Sequence, residues 1–321
     1  MTVVRFWGTR GTLPVAATAR QVGDKIADAL VAAKGQVFAS RLEASNFLES
    51  HLGFAARATY GGATSCVEIA PGNGAFFICD MGSGLREFGL DASTRCVDGH
   101  SKKYNFFLSH LHWDHIMGFP AFLPANDPEA EIVIYACHAD AEEALRRQQQ
   151  EISFPTSFAF WAADIRFVTM KPGEDIDVDG VRVMAMVQDH PHDSFGYRFT
   201  DGAGRTVVYS TDSEHKIADM DRESAFVAFF KDADLVICDT MYSLAESNSS
   251  KEDWGHSSNV VGVDLCLRAG VKHYCLFHHD PVHGDETIHN ILGETRRYAE
   301  IAGDGQALQV SAAYDGLLIN V

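Results

Sequence analysis

Four potential metal ligands lie within one short stretch, Ser109-His110-Leu111-His112-Trp113-Asp114-His115. This stretch directly follows the apolar, aromatic-rich residues 104–108, which predict a short buried strand. Side chains that leave the end of a buried strand lie on a loop, where a rigid scaffold usually presents chemistry. Imidazoles and a carboxylate suit zinc, and other first-row metals fit nearly as well. A histidine-rich surface loop is the alternative, but a dense motif after a strand is more specific than a lone histidine. The pattern therefore predicts a metal site.

The composition limits the partners that the chain can bind. Its 321 residues carry a formal net charge of −18, which argues against a broad nucleic-acid footprint or an anionic membrane surface. A small anionic substrate remains compatible, because bound metals reverse the local field. The sequence has no apolar run long enough to span a bilayer. We therefore expect a small anionic substrate, no membrane partner, and nucleic acid only as the less favoured ligand.

The seven cysteines indicate the compartment. They are odd in number, lie mostly in apolar runs and include no Cys-x-x-Cys pair. Reduced, buried cysteines of this kind are typical of cytoplasmic proteins, and a thiolate zinc site would need closely spaced pairs. Residues 1–7 begin directly as a strand, without a signal-peptide pattern. The sequence thus predicts a cytoplasmic protein.

Strand-like and helix-like segments alternate along the chain. Strands are predicted near residues 3–7, 66–70, 75–79, 104–108, 131–136, 181–187, 195–200, 206–210, 235–238, 273–277, 307–310 and 316–319. Helices are predicted near residues 140–150, 259–269 and 287–301. This interleaving predicts a mixed α/β protein, in which residues 1–321 form one layered domain.

Residues 14–53 have a different, alanine-rich and helical character. Val22, Ile26 and Leu30 recur at helical spacing. An amphipathic stripe usually packs on the body of a protein, and this interpretation is favoured here. A dimer arm or a lid over the metal site is the alternative, so a homodimer is a further expectation.

The His-x-His-x-Asp-His motif resembles the signature of the metallo-β-lactamase superfamily. The resemblance implies a four-layer αβ/βα sandwich, in which two mixed sheets are flanked by helices. It also implies two divalent metal ions at one sheet edge, with Zn²⁺ favoured and Mn²⁺ as the alternative. It covers the first strand and most of the chain from residue 59 onward. Residues 14–53 would then be a helical insertion relative to compact members.

Later segments resemble those of ribonuclease Z and related phosphodiesterases, and they imply the remaining ligands. His190 precedes Gly196-Tyr197-Arg198, Asp212 ends Tyr209-Ser210-Thr211-Asp212, and His278 begins His278-His279-Asp280-Pro281. The resemblance implies that one metal is held by His110, His112 and His190, that the other is held by Asp114, His115 and His278, and that Asp212 bridges both.

Other polar residues beside these ligands receive no metal role. His192 is expected to be a solvated loop residue or an outer hydrogen-bond donor. His279 and Asp280 would be outer neighbours of the site, and their roles are open.

The segment Trp254-Gly255-His256-Ser257-Ser258 resembles the part of ribonuclease Z that protonates the leaving oxygen. His256 would be the acid, oriented by Asp239 where ribonuclease Z typically has glutamate. The shorter carboxylate leaves their direct contact open. The alternative is that Ser257 or Ser258 caps a helix and His256 is exposed beside it.

The resemblance as a whole favours a binuclear metal-dependent phosphodiesterase that hydrolyses a small cyclic phosphodiester. A hydroxide that bridges the metals would attack phosphorus, Asp114 would help to orient it, and His256 would assist the leaving alkoxide.

Four other functions are considered. A ribonuclease Z-like tRNA 3′ endonuclease is disfavoured by the acidic balance and by the lack of a basic, glycine-rich arm. Carboxyl-ester, lactone or thioester hydrolases share the first motif, but they typically have a different third-histidine segment. A flavodiiron-type redox protein would usually have glutamate where His112 stands. A metal-binding sensor without catalysis is the remaining alternative.

Overall fold

The computed structural model describes residues 1–215, 220–247 and 254–321. Along the chain its strands are β1 (Val3–Gly8), β2 (Cys66–Ala70), β3 (Phe76–Cys79), β4 (Lys103–Leu108), β5 (Glu131–Ala136), β6 (Asp164–Thr169), β7 (Asp175–Val178), β8 (Val181–Gln188), β9 (Ser194–Thr200), β10 (Thr206–Ser210), β11 (Leu235–Asp239), β12 (His273–Phe277), β13 (Gln309–Ala312) and β14 (Leu318–Asn320). They form two mixed sheets of seven strands, with the orders β14-β1-β2-β3-β4-β5-β6 and β13-β12-β11-β10-β9-β8-β7.

The helices lie between the strands along the chain. They are α1 (Ala19–Ala32), α2 (Arg41–His51), α3 (Phe54–Arg57), α4 (Leu85–Val97), α5 (Trp113–Ile116), α6 (Ala141–Gln148), α7 (Met220–Phe230), α8 (Leu244–Ser247), α9 (Asn259–Ala269) and α10 (Asp285–Ala302). Short 3₁₀ turns cover Phe119–Ala121, Leu123–Asn126 and Phe158–Phe160.

Central strands of both sheets, such as β4 and β11, are buried on both faces, because successive side chains point to opposite sides of a sheet. In β4, Phe107 packs in the core between the sheets, and Phe106 packs in the core beneath α4 and α6. In β11, Ile237 packs in the central core, and Val236 packs in the core beneath α7, α9 and α10. Helices therefore cover the outer face of each sheet, and the predicted four-layer αβ/βα sandwich is confirmed.

The strand directions place several loops at one edge of each sheet. In the first sheet β3, β4 and β5 are parallel. In the second sheet β10, β11 and β12 are parallel, and β8 has the same direction as β10 because both are antiparallel to β9. Sites in open α/β sheets form outside the carboxyl ends of such strands. The predicted metal and catalytic residues lie at the end of β11 or in the segments that follow β4, β8, β10, β11 and β12.

The segment of residues 14–53, here named the helical arm, is helical as predicted but does not pack as predicted. Neither α1 nor α2 contains a buried residue. The side chains of Val22, Ile26 and Leu30 are 46%, 56% and 69% exposed, so the interpretation that this stripe is core is wrong. Lys25 anchors α1 to the body through an ion pair of 2.9 Å with Asp285. The division into a single domain with an insertion stays a prediction.

All seven cysteines are free thiols, which agrees with the reduced state predicted from their distribution. Burial raises the pKa of the thiols of Cys66, Cys79 and Cys266 well above the usual value. They behave as small apolar residues of the core. Among the described helices, none has both the length and the hydropathy that a bilayer crossing requires.

Candidate metal centre and catalytic site

The strand ends bring the seven predicted metal ligands into one cluster. Its members are His110, His112, Asp114, His115, His190, Asp212 and His278. Asp212 and His278 follow β10 and β12 in the left-handed backbone region, with φ of 50° and 61°. Non-glycine residues in this region store strain, which folded structures retain mainly at functional sites. The fold thus sets two of the predicted ligands in conformations that are locally unfavourable.

Three histidines form the first group of the cluster. Their ligand atoms, from His110, His112 and His190, all lie within 4.8 Å of one another. The distance from His190 Nε2 to His112 Nδ1 is 3.2 Å. Asp212 Oδ2 lies 3.8 Å from His110 Nε2 and 3.7 Å from His190 Nε2. One carboxylate oxygen therefore faces two of the three imidazoles.

Asp114, His115 and His278 form the second group. Asp114 Oδ2 lies 3.1 Å from His115 Nε2 and 3.2 Å from His278 Nε2. Asp212 Oδ1, the other oxygen of the same carboxylate, lies 3.3 Å and 3.2 Å from those two nitrogens. Asp212 consequently presents one oxygen to each group.

The surroundings favour the neutral form of the first group. Burial lowers the pKa of His110 and His190, and partial desolvation followed by the neighbouring His190 lowers the pKa of the more exposed His112, so these imidazoles keep the lone pairs that a metal needs. The His190 Nδ1–H donates to the Gly255 carbonyl oxygen at 2.8 Å, which leaves Nε2 facing the cluster. His110 Nε2 is buried without a hydrogen-bond partner among the described residues. A buried imidazole nitrogen without a hydrogen-bond partner is suited to bind a metal ion.

The second group concentrates charge. Burial disfavours a protonated His115, but the carboxylates of Asp114, Asp212 and Asp80 outweigh burial and raise its pKa. Burial likewise opposes ionisation of Asp114 and Asp212, yet the surrounding imidazoles outweigh it and lower the pKa of both carboxyls. Ionised carboxylates among imidazoles are the oxygen and nitrogen donors that Zn²⁺ and similar divalent ions prefer. The donor set therefore fits a metal centre.

Asp80, which sequence reasoning did not assign to the site, fixes the second group from behind. It lies directly after β3, is fully buried, and has a φ of 61°. Its Oδ2 contacts His115 Nδ1 at 2.7 Å and accepts hydrogen bonds of 2.7 Å from Ser109 Oγ and Tyr209 Oη. Such outer contacts orient a metal-binding imidazole and raise its basicity. The available signal was an aspartate at the end of a buried strand, which is also the position of Asp212.

The turn after β1 closes the site from another side and was also missed. The Thr12 N–H donates to Asp114 Oδ2 at 2.7 Å. A Cβ on Gly11 would lie only 2.5 Å from His278 Cε1, so a side chain there would displace the imidazole. The turn residues 8–11 were visible in the sequence, but their approach to the cluster was not.

His256 and Asp239 make the direct contact that the sequence left open. His256 Nδ1 lies 2.7 Å from Asp239 Oδ2. Burial disfavours the imidazolium, but Asp239 outweighs burial and raises the pKa of His256 to about 9. His256 also groups with His190 and Asp212 on one side and with Asp239 and His278 on the other. A protonated imidazole therefore lies beside both halves of the cluster.

The helix-cap alternative for this segment is wrong. Ser258 is the N-cap residue of α9, but its side chain makes no capping hydrogen bond. Ser257 is buried, and its Oγ donates to the Ser213 carbonyl oxygen. The His256 side chain is only 10% exposed, so it belongs to the site and not to the surface beside the helix.

The remaining polar residues are placed as follows. His192 is exposed in the turn after β8 and belongs to no metal-like group among the described residues, as expected. His279 Nε2–H donates to the Ala313 carbonyl oxygen at 2.8 Å, and burial lowers its pKa to about 3. Asp280 Oδ1 accepts from the Val282 N–H at 2.9 Å. The last two residues stabilise the loop that follows His278.

The region that contains the site matches a known protein family. The model of the beta-lactamase superfamily domain matches residues 98–279, more than half of the chain. The chain belongs to the beta-lactamase superfamily. The matched range contains all seven clustered residues together with Asp239 and His256.

Individual superfamily members are similar over most of the chain. Ribonuclease Z of Halorubrum lacusprofundi is 26% identical over 324 residues, which cover 81% of this chain and 94% of that protein. The crystal structure of YhfI from Bacillus subtilis, a metallo-beta-lactamase fold protein, has a TM-score of 0.63 at 18% identity and covers 99% of this chain and 98% of its own. A diphosphatase of the PhnP family has a TM-score of 0.61 at 17% identity, with coverage of 100% and 98%. The protein is a metal-dependent hydrolase of the metallo-β-lactamase fold.

Proposed function

We propose that the protein is a binuclear metal-dependent phosphodiesterase that acts on a small cyclic phosphodiester. One observation carries the proposal. The two oxygens of Asp212 face two separate ligand groups, and the His256–Asp239 pair lies beside both. A nucleophile-activating centre and a proton donor are thus adjacent, as hydrolysis of a diester with a poor leaving group requires.

The assignment of ligands follows the two groups. His110, His112 and His190 would hold one divalent ion, Asp114, His115 and His278 would hold the other, and Asp212 would serve both. Two such ions, when bound, polarise a phosphodiester, stabilise its developing negative charge and lower the pKa of a bound water. Zn²⁺ is the preferred ion because imidazole predominates among the donors, and Mn²⁺ is the alternative.

Three side chains have roles beyond ligation. Asp114, held by the Thr12 N–H, orients the nucleophile toward phosphorus. His256 donates a proton to the leaving oxygen, since Asp239 keeps its imidazole charged. Asp239 also fixes the ring, because its Oδ1 accepts from the Met241 N–H at 2.9 Å while Oδ2 contacts His256. General acid catalysis of this kind typically contributes about 10²- to 10⁴-fold in rate.

The class of substrate is supported by the relatives and by charge. Ribonuclease Z and the PhnP-family diphosphatase are both named for cleavage of phosphate linkages. The net charge of −18 disfavours a long polyanion and leaves a small anionic diester at the metal centre as the better partner.

A tRNA 3′ endonuclease is the second candidate. The specific observation in its favour is the ribonuclease Z relative, 94% of whose length is matched by this chain. The discriminating experiment is a direct assay of 3′-end processing on a tRNA precursor beside a panel of cyclic phosphodiesters. Efficient precursor cleavage without turnover of the small diesters would replace the first proposal by the second.

The proposed function is tested by metal analysis together with hydrolysis of bis(p-nitrophenyl) phosphate. We expect about two divalent ions per chain in the wild type, and loss of hydrolysis in Asp212→Ala, which removes the shared ligand. His256→Ala is expected to lower the rate of hydrolysis most for a diester with a poor leaving group. The effect on bis(p-nitrophenyl) phosphate should be smaller, because p-nitrophenolate needs little protonation to leave. The matched control is His192→Ala, an exposed histidine in the same loop as His190.

Two results would contradict the proposal. Absence of bound metal after reconstitution would refute the ligand assignment. Two bound metals without hydrolysis of any phosphodiester would shift the protein to the carboxyl-ester, lactone or thioester hydrolases, or to a metal-binding sensor.

We also propose that residues 1–321 form a single hydrolase domain in which residues 14–53 are a helical insertion. The support is that the strands before and after this segment lie in the same sheet, where β1 pairs directly with β2. Deletion of the segment with a short linker is expected to leave a folded protein, as judged by circular dichroism and metal content. A reducing, cytoplasmic location and a homodimer stay predictions.

A further inference from the structure

Trp113 is placed unusually for a tryptophan. It lies between His112 and Asp114 of the metal stretch, and its side chain is 69% exposed. Trp7 and Trp161 are half-buried, and their indole N–H groups donate to Glu68 and Gln149 at 3.2 Å and 3.1 Å. Within the described parts of the chain the Trp113 indole has neither a hydrogen bond nor an aromatic ring partner. Nothing in the packing of the fold accounts for a large apolar ring at this position.

Trp113 lies next to residues of the metal cluster in the chain. Trp113 is the first residue of α5, and His112 is its N-cap. Asp114 and His115, the next residues of the helix, are buried in the second ligand group, whereas His112 is exposed. Because consecutive Cα atoms are 3.8 Å apart, the backbone of Trp113 lies directly beside these clustered residues, and its side chain is exposed to solvent there.

A second exposed tryptophan, Trp254, also lies close in sequence to a residue of the site. Trp254 is 56% exposed and precedes His256 by two residues. The loop between them is tied to the first ligand group, since the Gly255 carbonyl oxygen accepts from His190 Nδ1. A Cβ on Gly255 would lie 2.5 Å from that nitrogen, so the loop and the imidazole are in close contact. Each of the two loops that supply reacting groups therefore also supplies an exposed indole.

Exposed indoles beside a phosphate site suit a planar aromatic group. Stacking of a nucleobase on an aromatic side chain stabilises binding by amounts equivalent to about 5- to 150-fold in affinity and needs no sequence-specific hydrogen bonds. We propose that Trp113 stacks on the nucleobase of the substrate while the phosphodiester lies at the metal centre. This inference rests on the proposed phosphodiesterase function and narrows its substrate class to cyclic nucleotides, as opposed to cyclic sugar phosphates without a base.

The kinetic test compares substrates that differ only in the base. Wild type, Trp113→Ala and Trp113→Phe, all metal-loaded, are assayed on 2′,3′- and 3′,5′-cyclic AMP and on the corresponding cyclic phosphates of methyl ribofuranoside. Trp113→Ala is expected to raise KM for the nucleotides about 5- to 150-fold, with little change in kcat and none on the base-free diesters. Trp113→Phe should recover most of the loss. Trp161→Phe is the matched control, because this half-buried indole lies outside the cluster.

A binding measurement separates this inference from the proposed function. AMP is expected to quench tryptophan fluorescence of the wild type and of Trp161→Phe, ribose 5-phosphate should not, and Trp113→Phe should lose most of the quenching. Equal kinetic loss on nucleotides and base-free diesters, or AMP quenching that survives Trp113→Phe, would overturn the stacking role. Hydrolysis of none of these diesters, with AMP quenching that still depends on Trp113, would instead refute the phosphodiesterase while leaving the nucleobase contact intact.

Discussion

The metal-site edge and the helical arm are both polar, helix-containing segments of the surface, but they are specified very differently. At the edge several functional side chains are fixed by a second contact, such as that of Asp80 with His115 or of Asp239 with His256. In the arm α1 and α2 bury no residue. The difference shows that amphipathic spacing predicts which face of a helix is apolar but not whether another part of the protein covers that face. A dense ligand motif at a strand end indicates the chemistry of the site, whereas the side chains that hold the ligands in place come from distant parts of the chain.

The largest expected effect concerns packing and compares two leucines. Leu145 of α6 is fully buried, and Leu30 of α1 is 69% exposed. Leu145→Ala should lower the free energy of unfolding by about 2–5 kcal/mol through lost burial and a residual cavity. Leu30→Ala should change it by no more than about 0.5 kcal/mol. Urea denaturation of both variants beside the wild type measures the difference. Equal losses would show that the arm is covered in the native protein.

The next effect concerns Asp80. Asp80→Asn keeps the volume but removes the charge that His115, Ser109 and Tyr209 contact. Loss of such an outer partner typically costs about 10- to 100-fold in metal affinity or activity. Competition with a chelating dye measures the affinity, and Asp177→Asn on β7, outside the cluster, is the control. Unchanged metal affinity would mean that Asp80 has a structural role only and does not affect metal binding.

A smaller, directional effect concerns pH. The carboxylate of Asp239 raises the pKa of His256 to about 9, so protonated His256 is lost as pH rises through that pKa. Bound cations lower this pKa in the wild type and in the variant alike, so the comparison isolates the carboxylate. Asp239→Asn is expected to shift the alkaline limb of the kcat/KM profile to lower pH, as measured with a diester that has a poor leaving group. An alkaline limb at the same pH in Asp239→Asn would show that Asp239 does not set the pKa of the general acid.

Much of the architecture could be predicted because apolar runs and turn residues coincide with the strands. Helix α9 begins and ends where it was predicted, since apolar residues recur regularly from Asn259 to Ala269. Strands β6 and β7 were not predicted, because they are short, largely exposed and rich in charged residues such as Asp164 and Arg166. The burial that stabilises such edge strands comes from neighbours distant in sequence.

The site shows the same limit at the level of single side chains. The motif predicted His110, His112, Asp114 and His115. The resemblance to ribonuclease Z and related phosphodiesterases implied the other three residues of the cluster, which are His190, Asp212 and His278. Asp80 and Thr12 were missed, because a turn aspartate and a backbone N–H have no local mark of their distant partners. The His256–Asp239 contact was left open, because side-chain reach depends on the spacing of two loops. Sequence patterns thus predicted what lies at the edge but not the distances within it.

The origin of the ligands has a mechanical consequence. Four of the clustered residues follow β4 of the first sheet, and the other three follow β8, β10 and β12 of the second. Bound ions would therefore act as cross-links between the two halves of the sandwich. These links would be polar, whereas elsewhere the sheets are joined by an apolar core. An ion at 100 times its dissociation constant stabilises a folded protein by about 2.7 kcal/mol. The stability of the contact between the two sheets would then depend on the concentration of free metal. Removal of the metal would lower the free energy of unfolding as well as abolish activity.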